Sequence, residues 1–275
     1  MSNHASVTHW QERLAAVVAR LANNRAAHGA AAEMHRVVVV DSIGSTQDLA
    51  RERGPTSGEA IIAQRQTAGR GRFGRSWSDT LDAGVAVSIV LAARAAEQLV
   101  VRSAVAVATA LECVADSAAR NGSRTHCGIK WPNDVLAPDG GKIAGILIER
   151  VEEVAIIGIG INVAQHSFEA ALAQRACSLA MLGVRAERLD VIEHLLISVD
   201  RWLSARDDDV SDAYRSRDTL RGTRVRFKVA GRLIEGRVLE VDPSHGIRIA
   251  TESGEQTIPA ALATLAVDPG AKSPT

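Results

Sequence analysis

Apolar residues recur along this chain at two spacings, and each spacing predicts its own kind of element. Leu14, Val17, Val18 and Leu21 repeat at helical intervals, so residues 10–23 read as an amphipathic helix. The Ala/Gly-rich stretch 26–32 reads as a loop or a frayed helix end. A β-branched run at 36–41 predicts a buried strand. Ser45 is placed to cap a short helix reaching Arg53, which Gly54 and Pro55 would stop. A second strand is expected at 60–64, a Gly/Arg-rich segment at 68–77, and a third strand at 84–92. Residues 95–120 are Ala-rich with helical periodicity and predict a long helix across the back of a sheet.

Further along, residues 128–131 lead into a strand-end turn at Pro132, Asn133 and Asp134. Two apolar runs, 142–150 and 154–162, flank Val151, Glu152 and Glu153 in the pattern of a hairpin. Residues 167–183 are mixed and assign no element. An amphipathic helix is expected at 187–205 and a shorter helical segment at 209–220. From about Gly222 the texture changes to short alternating strands at 225–229, 232–241, 246–251 and 255–259. Such strands suggest a small β-barrel appended to an α+β domain. No internal repeat is visible, and residues 269–275 read as a tail.

The 275 residues suffice for one large domain, or a medium one plus a small one. Lys+Arg and Asp+Glu number 32 each, which argues against a protein whose main work is coating nucleic acid but allows a local basic site. Cys113, Cys127 and Cys177 are odd in number and widely spaced among apolar neighbours, so reduced, buried thiols and a cytoplasmic location are expected. No Cys/His pairing has metal-ligand spacing, so no protein-held metal is expected. The first residues lack a signal-peptide layout, and no run is expected to approach the ~18 apolar residues of a membrane span. The only lysines are Lys130, Lys142, Lys228 and Lys272.

The densest chemical signal is the segment 69–75, GRGRFGR. Gly69, Gly71 and Gly74 satisfy a dinucleotide-type glycine formula, but that reading needs a helix directly afterwards. Residues 76–84 have loop character instead and lead to a strand. The glycines let backbone amides approach a ligand, while Arg70, Arg72 and Arg75 supply fixed positive charge. Together they describe a loop closing over an anion, such as a carboxylate and phosphates. A plain surface loop is the bland alternative; an RNA-binding arginine stretch would need more repetition and more aromatics. Lys130, Trp131, Pro132, Asn133 and Asp134 combine a cation, an aromatic ring and two polar groups in a rigid turn, or simply cap that turn. Lys142 opens an apolar strand, where it either projects into a pocket or snorkels to the surface. Gly158, Gly160 and Asn162 end another strand, lining a pocket or permitting close packing.

In this order the blocks resemble the biotin–protein ligase family. The resemblance is carried by Ser45 and Thr46, by QTAGRGRFGRSW at 66–77, by KWPND at 130–134, by KIAGILIE at 142–149 and by GIGIN at 158–162. It spans roughly residues 36–268 and implies an α+β fold: a mixed, class II synthetase-like sheet with helices packed on it, then a small SH3-like β-barrel. The implied division is an N-terminal helical extension (1–35), a catalytic domain (36–220), the SH3-like domain (221–268) and a tail (269–275).

The implied activity is ATP-dependent formation of biotinyl-5′-AMP, with Mg2+ accompanying ATP, and transfer of biotin to a lysine of a biotin carboxyl carrier protein. The resemblance places Ser45, Thr46, Gln47, Gln66, Arg70, Gly71, Arg72, Lys142, Gly145 and Gly160 around biotin. Gln47 stands where many members carry Asn. Arg72, Arg75, Trp77, Lys130, Asn133, Lys142 and Asn162 fall to ATP. Lys142, Arg70 and Asp134 are the implied catalytic residues, Asp134 orienting or deprotonating the acceptor amine. Only about 35 residues precede the first expected strand, so a DNA-reading helix-turn-helix is not expected; nor is a membrane partner, and a homodimer is allowed. A lipoate ligase, a non-enzymatic biotin- or nucleotide-responsive regulator and an RNA-binding protein are the rival readings.

Overall fold

The computed structural model describes residues 6–28, 33–77, 83–94, 96–119, 124–229, 231–242, 245–259 and 263–265. The fold is α+β. A seven-stranded mixed sheet has the order β1 (Arg36–Ile43), β2 (Glu59–Gln66), β5 (Gly84–Ala92), β9 (Val154–Asn162), β8 (Lys142–Val151), β7 (Asp134–Leu136), β6 (Gly128–Lys130). Only β1 and β2 run parallel; every other neighbouring pair is antiparallel. The tiny strands β3 (Gly69–Arg70) and β4 (Ser76–Trp77) pair with each other.

Three helices cover one face of the sheet: α1 (Val7–Ala27), α3 (Ala96–Ala118) and α5 (Arg188–Leu203). Helix α1 is longer than its apolar stripe suggested, because Ser6 caps its start (His9 N–H to Ser6 Oγ, 3.2 Å) and alanines prolong its end. It buries Trp10, Leu14, Val17 and Val18 in the main core. Its Gln11 amide also satisfies the free edge of β1, donating to Val37 O (2.9 Å) and accepting from Val39 N–H (2.8 Å). Residues 29–32 of the expected loop lie outside the described residues, as do 230, 243, 244 and the tail.

Helix α3 corrects one expectation. Its stretch Gln98–Ala118 is long and apolar enough to cross a membrane, by length and composition alone, but 78% of it is buried inside the protein. The apolarity serves packing between the sheet and α5. The thiols need a second correction: Cys127 and Cys177 are buried, whereas Cys113 is exposed. Cys113 lies one turn before exposed Ser117, on the outward face of α3. Burial pushes the Cys127 thiol up to about 12 and the Cys177 thiol up to about 11, so both stay protonated and unreactive at neutral pH. Alkylation of the native protein near pH 8, read by mass spectrometry, should therefore modify Cys113 alone, and all three cysteines after unfolding. Equal native labelling at Cys127 would contradict this picture.

A one-turn helix, α4 (Ala170–Ala173), precedes α5; after α6 (Asp207–Arg215), five antiparallel strands form a second sheet in the order β13 (Gly254–Ile258), β12 (Gly246–Thr251), β11 (Arg232–Asp242), β10 (Arg224–Val229), β14 (Ala263–Leu265). The expected barrel is not closed: among the described residues β13 and β14 do not pair, and curvature comes from a bulge between Val238 and Glu240. This sheet buries Phe227 edge-on against Trp131, ring centroids 5.6 Å apart.

Candidate active site

The opposite face of the large sheet is only partly covered. Helix α2 (Thr46–Glu52) closes one end, where Ala50 packs with Ile61, Val90 and Ile156. The rest opens into a cleft of about 1870 Å³. Strand register decides what its floor presents. Ala63, Ala86, Gly160, Gly145, Asp134 and Lys130 are successive cross-strand partners, so they form one row on the cleft face. The next row on that face is Ile61, Ser88, Gly158 and Leu147, about 7 Å away along the strands. Small residues thus hollow the middle of the floor, and the charged Asp134 and Lys130 stand at one side.

The glycine/arginine segment is a small hairpin over this floor. Gly69 pairs with Trp77 and Arg70 with Ser76, and Gly71 N–H donates to Arg75 O (2.7 Å). Its tip needs a left-handed residue, Phe73 at φ 57°. The hairpin lays the Trp77 indole on the glycine row. A Cβ at Gly145 would stand 2.9 Å from Trp77 Cζ3, and one at Gly160 would overlap the ring. At the tip, Arg72 donates to Asn133 Oδ1 (3.3 Å), so the hairpin spans the cleft to the KWPND turn. Burial pulls the Arg72 pKa down; the nearby Asp134 carboxylate opposes that shift, and Arg75 adds to it.

Lys142 sits at the start of β8, its Nζ 2.6 Å from Asp134 Oδ1 and 5.5 Å from the centre of the Trp77 ring. Its backbone is clamped: Lys142 N–H donates to Arg175 O (2.7 Å), and Lys142 O accepts from Cys177 N–H (2.9 Å). Asn162, buried, donates its amide to Lys142 O (3.3 Å) and Cys177 O (3.0 Å). That amide group therefore positions Lys142 rather than reaching freely into the cleft.

At the α2 end lies a buried polar cluster. Thr46 N–H and Oγ–H both reach Gln66 Oε1 (2.9 and 3.1 Å), and Ser88 Oγ donates to Thr46 Oγ1 (2.8 Å). Gln47 donates to Leu147 O (3.3 Å) and Ile156 O (3.4 Å), filling the space that Gly158 leaves open. Ser45 occupies the N-cap position of α2, but its side chain makes no capping bond and lines the cleft. Every residue that the sequence singled out for biotin, ATP or catalysis lines this one cleft. Ser88 was missed, although it is the lone polar residue in an otherwise apolar strand. Gln165 was missed too and had no signal; it is buried in the lining, with no partner for its Oε1.

Electrostatics narrow the ligand. The lining carries Arg70, Arg72, Arg75, Lys130, Lys142 and Arg175 against Asp134, Asp139 and Glu169: six cations to three anions in a chain of zero net charge. Among the described residues, no group of three His, Cys, Asp or Glu side chains could hold a metal ion. A cleft with a polar inner end, a glycine floor under an aromatic ring and a cationic lid has the chemistry to suit an anionic ligand beside phosphates.

The Biotin/lipoate A/B protein ligase family matches residues 39–165, the segment that builds most of this cleft. A biotin–[acetyl-CoA-carboxylase] ligase of Mycobacterium tuberculosis is 36% identical over 217 residues, 74% of this chain and 78% of its own length. A bifunctional ligase/repressor of Bacillus spizizenii is 32% identical over 242 residues, 81% of this chain and 71% of its own. Among solved structures, the biotin protein ligase from Aquifex aeolicus in complex with biotin and ATP superposes with a TM-score of 0.73 at 27% identity, covering 84% of this chain and 98% of that one. The chain belongs to the biotin/lipoate protein ligase family.

Proposed function

We propose that this protein is a biotin–protein ligase that joins biotin to a lysine of a biotin carboxyl carrier domain, at the expense of ATP. In the first step a biotin carboxylate oxygen attacks the α-phosphorus of ATP, and pyrophosphate leaves. In the second, the acceptor ε-amine attacks the acyl carbon, AMP leaves, and the amine's proton is released. The observation that carries this reading is Lys142, poised at the end of the glycine row between the buried polar cluster and the KWPND turn.

In this reading the Thr46, Gln66 and Ser88 cluster, with Ser45 and Gln47, receives the ureido ring, whose donors and acceptors suit a polar lining better than an apolar dithiolane would. The acid's tail runs beside Trp77, whose indole rests on Gly160 and Gly145 and forms one wall of its path. Arg70, Gly71 and Arg72 close over it, while Arg72, Arg75, Lys130 and Asn133 face the phosphates. Mg2+ is proposed as part of the nucleotide substrate, held by its phosphates. Asp134 serves two lysines in turn. It holds the Lys142 ammonium first; when Lys142 swings to the new acyl phosphate, the freed carboxylate takes the incoming lysine. That amine has an unperturbed pKa of about 10.4, so it arrives protonated and must lose a proton to attack. Dependence on ATP suits a cytoplasmic location.

Biotin-dependent ATP–pyrophosphate exchange tests the proposal, followed by biotin transfer to a carrier domain. Exchange supported by lipoate but not by biotin would overturn it. Arg72→Ala should shorten the lifetime of the bound adenylate by about tenfold or more, because the lid loses its hydrogen bond to Asn133 and one phosphate partner. Release of biotinyl-AMP from the purified complex measures this, and an unchanged lifetime would sink the lid assignment.

A further inference from the structure

Arg70 is tied to two acidic residues that the reaction itself does not require. Its Nη2 stands 2.8 Å from Asp48 Oδ1 and 2.9 Å from Glu149 Oε2. Arg51 reaches the same two atoms, at 3.2 Å and 3.1 Å. Two guanidinium groups and two carboxylates therefore alternate in a closed ring of charge. Asp48 belongs to the first turn of α2. Glu149 lies on β8 two residues beyond Leu147, on the same face as the cleft floor. The ring joins the helix that bears the polar cluster, the strand that bears Lys142 and the first arm of the lid. Arg70 Nε, meanwhile, is buried with no hydrogen-bond partner in the protein.

The lid thus has two unequal parts. Its base is held by the ion-pair ring, by the pairing of Gly69 and Arg70 with Trp77 and Ser76, and by Trp77 resting on the glycine floor. Its tip crosses the cleft through the Arg72–Asn133 hydrogen bond, with Phe73 59% exposed. We infer that Asp48 and Glu149 are positioning residues: they fix Arg70, and through it Trp77, on the glycine floor as one wall of the acid site before substrate arrives, so that only the tip at 72–75 moves during turnover. This rests on the biotin-ligase reading for its catalytic consequence, but not for its mechanical one. Pre-ordering the base reduces the ordering cost at substrate binding, so its loss raises KM for the acid and leaves kcat nearly unchanged.

The test is the double variant Asp48→Asn/Glu149→Gln, which removes both charges and keeps the side-chain shapes. Limited trypsin digestion of the unliganded protein should cut after Arg70, in the base, about tenfold faster than in wild type, because cleavage follows the open population. Added biotin with ATP should suppress cutting in both proteins. In pyrophosphate exchange, KM for biotin should rise about tenfold, with kcat within about twofold. Arg51→Gln touches the same acids without touching the lid, and should leave loop cleavage at the wild-type rate. Equal cleavage in the double variant and wild type, at equal Tm, would overturn the inference; so would equal acceleration by Arg51→Gln. If the double variant does not fold, Asp48→Asn alone decides by the same comparison. Absence of exchange in wild type would count against the ligase reading only, since the digestion reports on the lid by itself.

Discussion

Lys142→Ala is expected to cut biotin-dependent pyrophosphate exchange by about 10²–10³-fold or more, the scale of losing a principal charge-stabilising group at a reacting centre. The variant should fold normally. Lys142 is a third exposed and its partner Asp134 28% exposed, so deleting the pair leaves a carboxylate that water can still reach. Such a pair is worth only about 0–1 kcal/mol to the fold. The backbone clamp by Arg175, Cys177 and Asn162 does not use the side chain and survives the change. The loss should fall on kcat more than on KM for biotin, because the ammonium is needed where charge develops at the acyl phosphate. Lys142→Arg keeps the charge but exchanges a compact ammonium for a planar fork, and should recover only part of the rate. Exchange at the wild-type rate in Lys142→Ala would remove the residue from the mechanism.

Gly160→Ala is expected to raise the Kd for biotin by about 100-fold, with a much smaller cost in stability. One methyl group is added, but it would occupy the place of the Trp77 indole, a flat ring held by the pairing of β3 with β4. The ring must leave the floor, and the hairpin moves with it. Gly158→Ala is the internal comparison. There the added methyl meets the end of the flexible Gln47 side chain, which can turn aside, so a change of only about threefold is expected. Titration calorimetry with biotin measures both. Equal affinities for wild type and Gly160→Ala would show that Trp77 does not form a wall of the acid site.

The contrast between these glycines also shows how far local pattern reaches. The strands at 84–92, 142–150 and 154–162 were legible because apolar runs bounded by turns admit few alternatives, and they fall within a residue of the observed elements. Helix α5 was legible from its periodicity, as α3 was from its Ala-rich repeat. The length and apolarity of α3 were underestimated as a membrane-span signal, and only its burial against the sheet and α5 says what that apolarity serves. The exposure of Cys113 was misjudged for a similar reason: apolar neighbours in sequence are not neighbours on a helix face.

By itself, then, the sequence determined the class of fold, the order of the chemical blocks and the residue types that meet an anion. These follow from short-range rules of periodicity, turn chemistry and fixed charge, each of which acts within about ten residues. Tertiary structure alone decided that Ala86, Gly160, Gly145, Asp134 and Lys130 share one row, that Trp77 lies on it, that Lys142 and Asp134 are partners, and that Arg70 is held by Asp48 and Glu149. Those relations depend on strand register and on contacts as far apart in sequence as Arg70 and Glu149, 79 residues, or Trp77 and Gly160. A shift of one residue in pairing would turn each of these floor positions to the opposite face, and no local pattern records that choice.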